Sequence, residues 1–177
     1  IQELVKLMSE RKPMKPKVVE SGPCKEIKIE GDDIDLTQFP QPYTGEFDLP
    51  PHITAGISNI RDIDTGWQNS GIRRYQIKDK DKLCNLIIPV QHEGIIFTKY
   101  IKRSEPMPIA IVIGSDPLYA SISQMPTGEQ EDEMDSWGIF AGEPLEVVKC
   151  ETSDILVPAT AEIIIEGEID PHERVLE

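Results

Sequence analysis

The chain has 177 residues, enough for one domain with its own core, and a net charge of −14 at pH 7. That charge excludes a surface that tracks nucleic-acid phosphates or an anionic membrane, since either needs clustered Lys and Arg. Apolar residues make up 38% and aromatics 6%, a lean core that leaves surface to be covered by a partner or by chain beyond this sequence. Cys24, Cys84 and Cys150 are far apart and form no C-x-x-C pair, so neither a disulfide framework nor a structural zinc site is expected. Free thiols suit a reducing cytoplasm. No apolar run is long enough to span a bilayer, and the first residues given contain no signal-peptide h-region.

In chain order, residues 1–11 place Ile1, Leu4, Val5 and Met8 on one helical face, and Pro13 and Pro16 end that helix. Residues 12–23 read as an extended linker and 24–29 (CKEIKI) as a short alternating strand. Residues 31–52 form a long acidic loop rich in proline. An antiparallel meander is expected next, with strands at 53–62, 70–79 and 83–91 separated by turns at 64–69 and 79–82. Residues 92–104 read as a helix and 107–115 as a strongly apolar strand. A further helix at 116–124 has Asp116 as N-cap and Pro117 at its first position, and Met125, Pro126 and Gly128 break it. Residues 129–142 start acidic and read as a helix closed by Gly142. Strands at 144–151, 154–159 and 161–170 complete the chain. Seven or eight short strands with three or four short helices predict a mainly β (α+β) barrel with helical inserts.

The string NSGIRRYQ (69–76) resembles the N-x-G-I-x-R-x-Q strand of the UbiD-family decarboxylases. Other segments follow in that family's order: GPCKE (22–26), GDDIDL (31–36), ITAG (53–56), RDIDTG (61–66), QH (91–92), IGSDP (113–117) and VVKCETSDILVPATAEIIIEGEIDP (147–171). The resemblance covers about residues 20–177 and implies a split β-barrel, flavin-reductase-like domain that holds prenylated FMN. It places residues 1–19 outside that domain as a helix and linker. It also implies an α/β segment before it and an oligomerising domain after it in a full-length homo-oligomer. The activity implied is (de)carboxylation of an aromatic or α,β-unsaturated acid, with the chain inactive alone.

By the same resemblance Asn69, His92 and Glu133 bridge Mn²⁺ to the cofactor phosphate, with K⁺ as a second ion. An amide oxygen, an imidazole and a carboxylate suit Mn²⁺ better than zinc. Glu133 is assigned by register, with Glu131 and Asp132 as competitors. Ser70, Gly71, Ile72 and Arg73 would lie against the flavin, Gln91 beside His92, and Ser123, Gln124, Met125 and Pro126 along the phosphate and ring. Arg74 would bind the substrate carboxylate, since its planar fork fits one bidentately. Arg73 and Arg74 point to opposite faces of the strand, so only one lines the site. Glu177 would contact that arginine. A second catalytic glutamate and a lysine of the family lie beyond the end of the chain, and Leu176 departs from the family's usual proline. The alternative is a non-catalytic flavin-binding or assembly subunit of a multi-subunit carboxylase. A flavin reductase would need a nicotinamide site, for which no G-x-G-x-x-G segment is present.

Overall fold

The computed structural model describes residues 2–40, 45–46 and 52–175. Among these, eight strands form two sheets. The larger is a curled five-stranded half-barrel, built from β2 (His52–Arg61), β3 (Gln68–Asp79), β4 (Lys82–Cys84), β5 (Met107–Ile113) and β8 (Ile163–Ile169). Its order is β4-β3-β2-β5-β8, and all its pairings are antiparallel. The smaller sheet joins β1 (Lys17–Val18), β6 (Glu146–Lys149) and β7 (Leu156–Pro158), with β1 running parallel to β6. Residues of the expected linker thus pair with the second sheet.

Strand β5, between β2 and β8, is apolar throughout because both of its faces are covered. Ala110 and Val112 face a core shared with β6, β7 and Tyr119. Met107, Ile109 and Ile111 face the opposite core under Ile96, Phe97 and Tyr100 of α2 (His92–Arg103). This is the period-two alternation of a strand between two layers. Helix α3 (Pro117–Ile122) begins as expected, with Asp116 accepting from the Leu118 amide at 2.7 Å. Helix α1 (Gln2–Glu10) is tethered through Arg11, whose guanidinium donates to the Ile139 and Phe140 carbonyls at 3.2 Å. Those carbonyls belong to α4 (Trp137–Ala141), which Gly142 closes in the left-handed region at φ 84°.

Three expected elements differ. Residues 24–29 are not a strand: Pro23–Lys25 make a 3-10 turn, and Ile27 and Ile29 are exposed. Their alternation finds no sheet edge to pair with. The strand expected at 83–91 stops at Cys84, and the chain then turns back beneath α2. A side chain on Gly94 would meet the Ile88 carbonyl at 2.3 Å, so only glycine admits this crossing. The helix expected from 129 starts at Glu133 as a 3-10 turn, because Gln130 takes a left-handed φ of 70° that breaks helical continuity.

Candidate functional site

The first half of β3, the N-terminus of α2, the loop after α3 and the turn at Glu133 enclose an open cleft of about 350 Å³. Of the residues singled out in the sequence, Asn69, Ser70, Gly71 and Arg73 line it from β3, and Gln91 and His92 from the start of α2. Ser123, Gln124, Met125 and Glu133 close the other side. Ile72 instead packs against the core between the sheets. Pro126 and Arg74 are not part of the lining, and Arg74 is exposed on β3. Glu177 lies outside the described residues.

Glu133 is the best-anchored group. It is buried and accepts three hydrogen bonds: from the Asn69 amide at 2.8 Å, the Ser70 backbone N–H at 2.8 Å and the Thr127 hydroxyl at 2.7 Å. Burial pushes its carboxyl up, and the Ser70 and Thr127 donors oppose that in part. The two competing carboxylates serve the backbone instead. Glu131 accepts from the Gly128 amide at 2.8 Å, and Asp132 caps the 3-10 turn through the Met134 amide at 2.9 Å. Burial lifts the Asp132 carboxyl to about 7.

His92 Nδ1 lies 3.4 Å from the Asn69 amide nitrogen. The Trp67 ring meets the imidazole edge-on, with centroids 4.9 Å apart, and the indole N–H donates to the Glu131 carbonyl at 2.9 Å. Asn69, His92 and Glu133 thus converge on one spot from three elements. Among the described residues no Lys or Arg forms an ion pair with Glu133, and no three His, Cys, Asp or Glu side chains cluster. This mixed donor set, with one buried carboxylate, fits a hard divalent cation that completes its shell with ligand oxygens. The Asn69 amide would have to turn its oxygen toward such an ion.

Several supporting groups were not legible beforehand. Thr127 and Val90 join the lining. Behind β3, Tyr119 donates to Asn59 Oδ1 at 2.6 Å, and the Ser70 hydroxyl donates to the same oxygen at 2.8 Å. This buried triad fixes the strand that carries Asn69. Arg73 is held by Glu93, with Nε to Oε2 at 2.7 Å.

The chain is similar to proteins of known family and structure. Residues 17–177 match the UbiD profile described as the 3-octaprenyl-4-hydroxybenzoate carboxy-lyase Rift-related domain. The chain is 35% identical over 166 residues to pyrrole-2-carboxylic acid decarboxylase of Pseudomonas aeruginosa, covering 93% of this chain and 34% of that protein. It therefore spans about a third of the length of that curated relative. The UbiD-class enzyme HmfF from Pelotomaculum thermopropionicum, solved in complex with FMN, superposes with a TM-score of 0.91 at 37% identity. That match covers 99% of this chain and 39% of HmfF. The vanillic acid decarboxylase of Sedimentibacter hydroxybenzoicus in its closed form superposes with a TM-score of 0.91 at 30% identity, covering 99% and 38% of the two chains.

Proposed function

Since the chain belongs to the UbiD family of carboxy-lyases, we propose that it forms the flavin-holding core of an enzyme that removes or adds the carboxyl group of an aromatic, heteroaromatic or α,β-unsaturated acid. The observation that carries this is the convergence of Asn69, His92 and buried Glu133 at one end of the cleft, in a fold that superposes on an FMN-bound relative. These three residues would hold Mn²⁺, with K⁺ as a second ion, against the phosphate of prenylated FMN. Ser70, Gly71 and the backbone of Ile72 would run beside the ring, and Gln91 and Met125 would flank it, with Pro126 fixing the turn that follows Met125. When bound, the prenylated flavin would supply an electron sink for the charge that decarboxylation leaves on the substrate.

The chain's own residues would orient the substrate. Arg74 would grip the substrate carboxylate and Glu177 would steady that guanidinium. Residues 20–177 would act as the cofactor domain and 1–19 as its lead-in, in a cytoplasmic homo-oligomer. Among the described residues no helix is long and apolar enough to cross a membrane. The test is metal and flavin content, by elemental analysis and visible absorbance, of the protein that carries this chain, purified with Mn²⁺ and prenylated FMN supplied. Both should be present, and both should be lost in Asn69→Ala, His92→Ala and Glu133→Ala. A wild type that holds neither overturns the reading. Arg74→Ala should keep the cofactor and lose turnover.

One observation favours a second reading. Arg74 is exposed and outside the cleft, as expected of a flavin-binding assembly subunit that does no chemistry. Full turnover in Arg74→Ala, or none in a flavin-loaded wild type offered aromatic acids, would favour that subunit.

A further inference from the structure

Arg73, the first of the two adjacent arginines of β3, has a place of its own in the structure. It projects from β3 on the same side as Asn69 and Gly71 and lines the cleft. Its Nε donates to Glu93 Oε2 at 2.7 Å and its Nη1 to the Ile72 carbonyl at 2.9 Å. A side chain on Gly71 would meet Nη1 at 2.7 Å, so the guanidinium lies over the bare backbone of Gly71. Glu93 is only 1% exposed, is absent from the cleft lining, and has its other oxygen held by the Asn85 amide at 3.2 Å. Arg73 keeps 21% of its side chain exposed.

A carboxylate this deep is tolerated only when paired and hydrogen-bonded. Here the pair is one-sided: its negative end is buried in the first turn of α2 and its positive end faces the cleft. Two of the five guanidinium N–H groups are used by the protein, and the rest have no protein acceptor among the described residues. In a chain of net charge −14, a cation fixed in this way is a receptor for an anion.

We propose that Arg73 is the oxyanion-binding residue of the cleft and that Glu93 is the positioning residue that holds it there. The ligand is a phosphate monoester or a carboxylate, the two oxyanions that a flavin phosphate and an acid substrate would bring. The inference rests on the flavin-cleft reading above. Glu93 acts through Arg73, so removing it matters only while Arg73 is present.

The test uses the protein that carries this chain, with FMN, riboflavin and pyrrole-2-carboxylate as probes, binding being read by flavin fluorescence and by calorimetry. If the oxyanion is the flavin phosphate, Arg73→Ala weakens FMN binding roughly tenfold or more and leaves riboflavin unchanged. If it is the substrate carboxylate, both flavins bind as before and pyrrole-2-carboxylate weakens by a similar factor. Glu93→Gln shifts the same probe in the same direction, and Arg73→Lys falls between wild type and Arg73→Ala. The double variant Glu93→Gln/Arg73→Ala is no weaker than Arg73→Ala alone. Should Glu93→Gln fail to fold, Asn85→Ala gives the same direction of change. No weakening of any probe, or equal weakening of FMN and riboflavin, overturns the proposal; additive losses in the double variant overturn the role of Glu93. A wild type that binds none of the probes removes the flavin-cleft reading itself, and this inference with it.

Discussion

Gln68 clasps the backbone of Leu156 from the opposite sheet: its side-chain Nε2 donates to the Leu156 carbonyl and its Oε1 accepts from the Leu156 amide, both at 2.8 Å. A side chain from β3 thus completes the hydrogen bonding of β7 as a neighbouring strand would. It ties the half-barrel to the small sheet, and it sits one residue before Asn69. Gln68→Ala removes the partners of two part-buried backbone groups and should lower stability by roughly 1–3 kcal/mol. Urea unfolding would measure this, and a loss below about 0.5 kcal/mol would show that water replaces the clasp.

Glu133 and its two acidic neighbours can be separated directly. Glu133→Gln should abolish Mn²⁺-dependent flavin retention while leaving the thermal midpoint within a few degrees of wild type, since an amide still fits beside Asn69 and Thr127. Glu131→Gln should retain both, because that carboxylate only serves a turn. Loss of metal in Glu131→Gln with retention in Glu133→Gln would reassign the ligand.

The buried triad behind the cleft makes a stability prediction. Tyr119→Phe removes one hydroxyl from Asn59 and Ser70 without creating a large void. It should cost about 1 kcal/mol, the worth of one hydrogen bond, since Asn59 Oδ1 keeps the Ser70 hydroxyl. Flavin binding should weaken with it, since Ser70 belongs to the cleft wall. Calorimetric melting and a flavin titration of the same sample would read both.

One acid-sensitive contact lies away from the cleft. The Lys25 and Lys28 ammonium groups hold the Glu151 carboxyl down at about 2, against an ordinary value of 4.5. A carboxyl depressed on folding stabilises the fold above its unfolded value and loses that contribution as pH falls through its folded value. The contribution of this site is therefore full above about pH 4.5 and gone near pH 2. Glu151→Gln should flatten stability against pH across that window and leave the curve at pH 7 to 9 parallel to wild type. An unchanged slope between pH 4.5 and 2 would show the lysines are already screened by solvent.

Thiol reactivity should follow burial. Burial pushes the Cys150 thiol up to about 12, whereas Cys24 and Cys84 are half-buried. Timed alkylation at pH 8 with mass-spectrometric mapping should label Cys24 and Cys84 first and Cys150 only on unfolding.

Much of the fold was legible because its signals are local. The alternation of β2 and β3, the Asp116-Pro117 start of α3 and the Gly142 stop of α4 each reside in a few adjacent residues. What failed depended on distant partners. Ile27 and Ile29 alternate like a strand, yet no sheet edge reaches them. Residues 85–91 look extended, yet Gly94 draws them under α2. In the cleft, Asn69, His92 and Glu133 were marked by family resemblance, and folding brings them together. Arg73 was likewise marked beside the flavin, and parity supports that placement, since 69, 71 and 73 share a face. Glu93 could not be placed this way: an acidic residue in the first turn of a helix ordinarily complements the helix dipole, and only the tertiary structure turns it toward Arg73.

Strand β3 carries the intersheet clasp at Gln68, the converging amide at Asn69, the bare backbone at Gly71 and the guanidinium at Arg73 within six consecutive positions. Insertion or deletion of one residue there would exchange the two faces of everything downstream, sending Arg73 into the core and Ile72 into the cleft. Over these six codons, therefore, inheritance is confined to substitution.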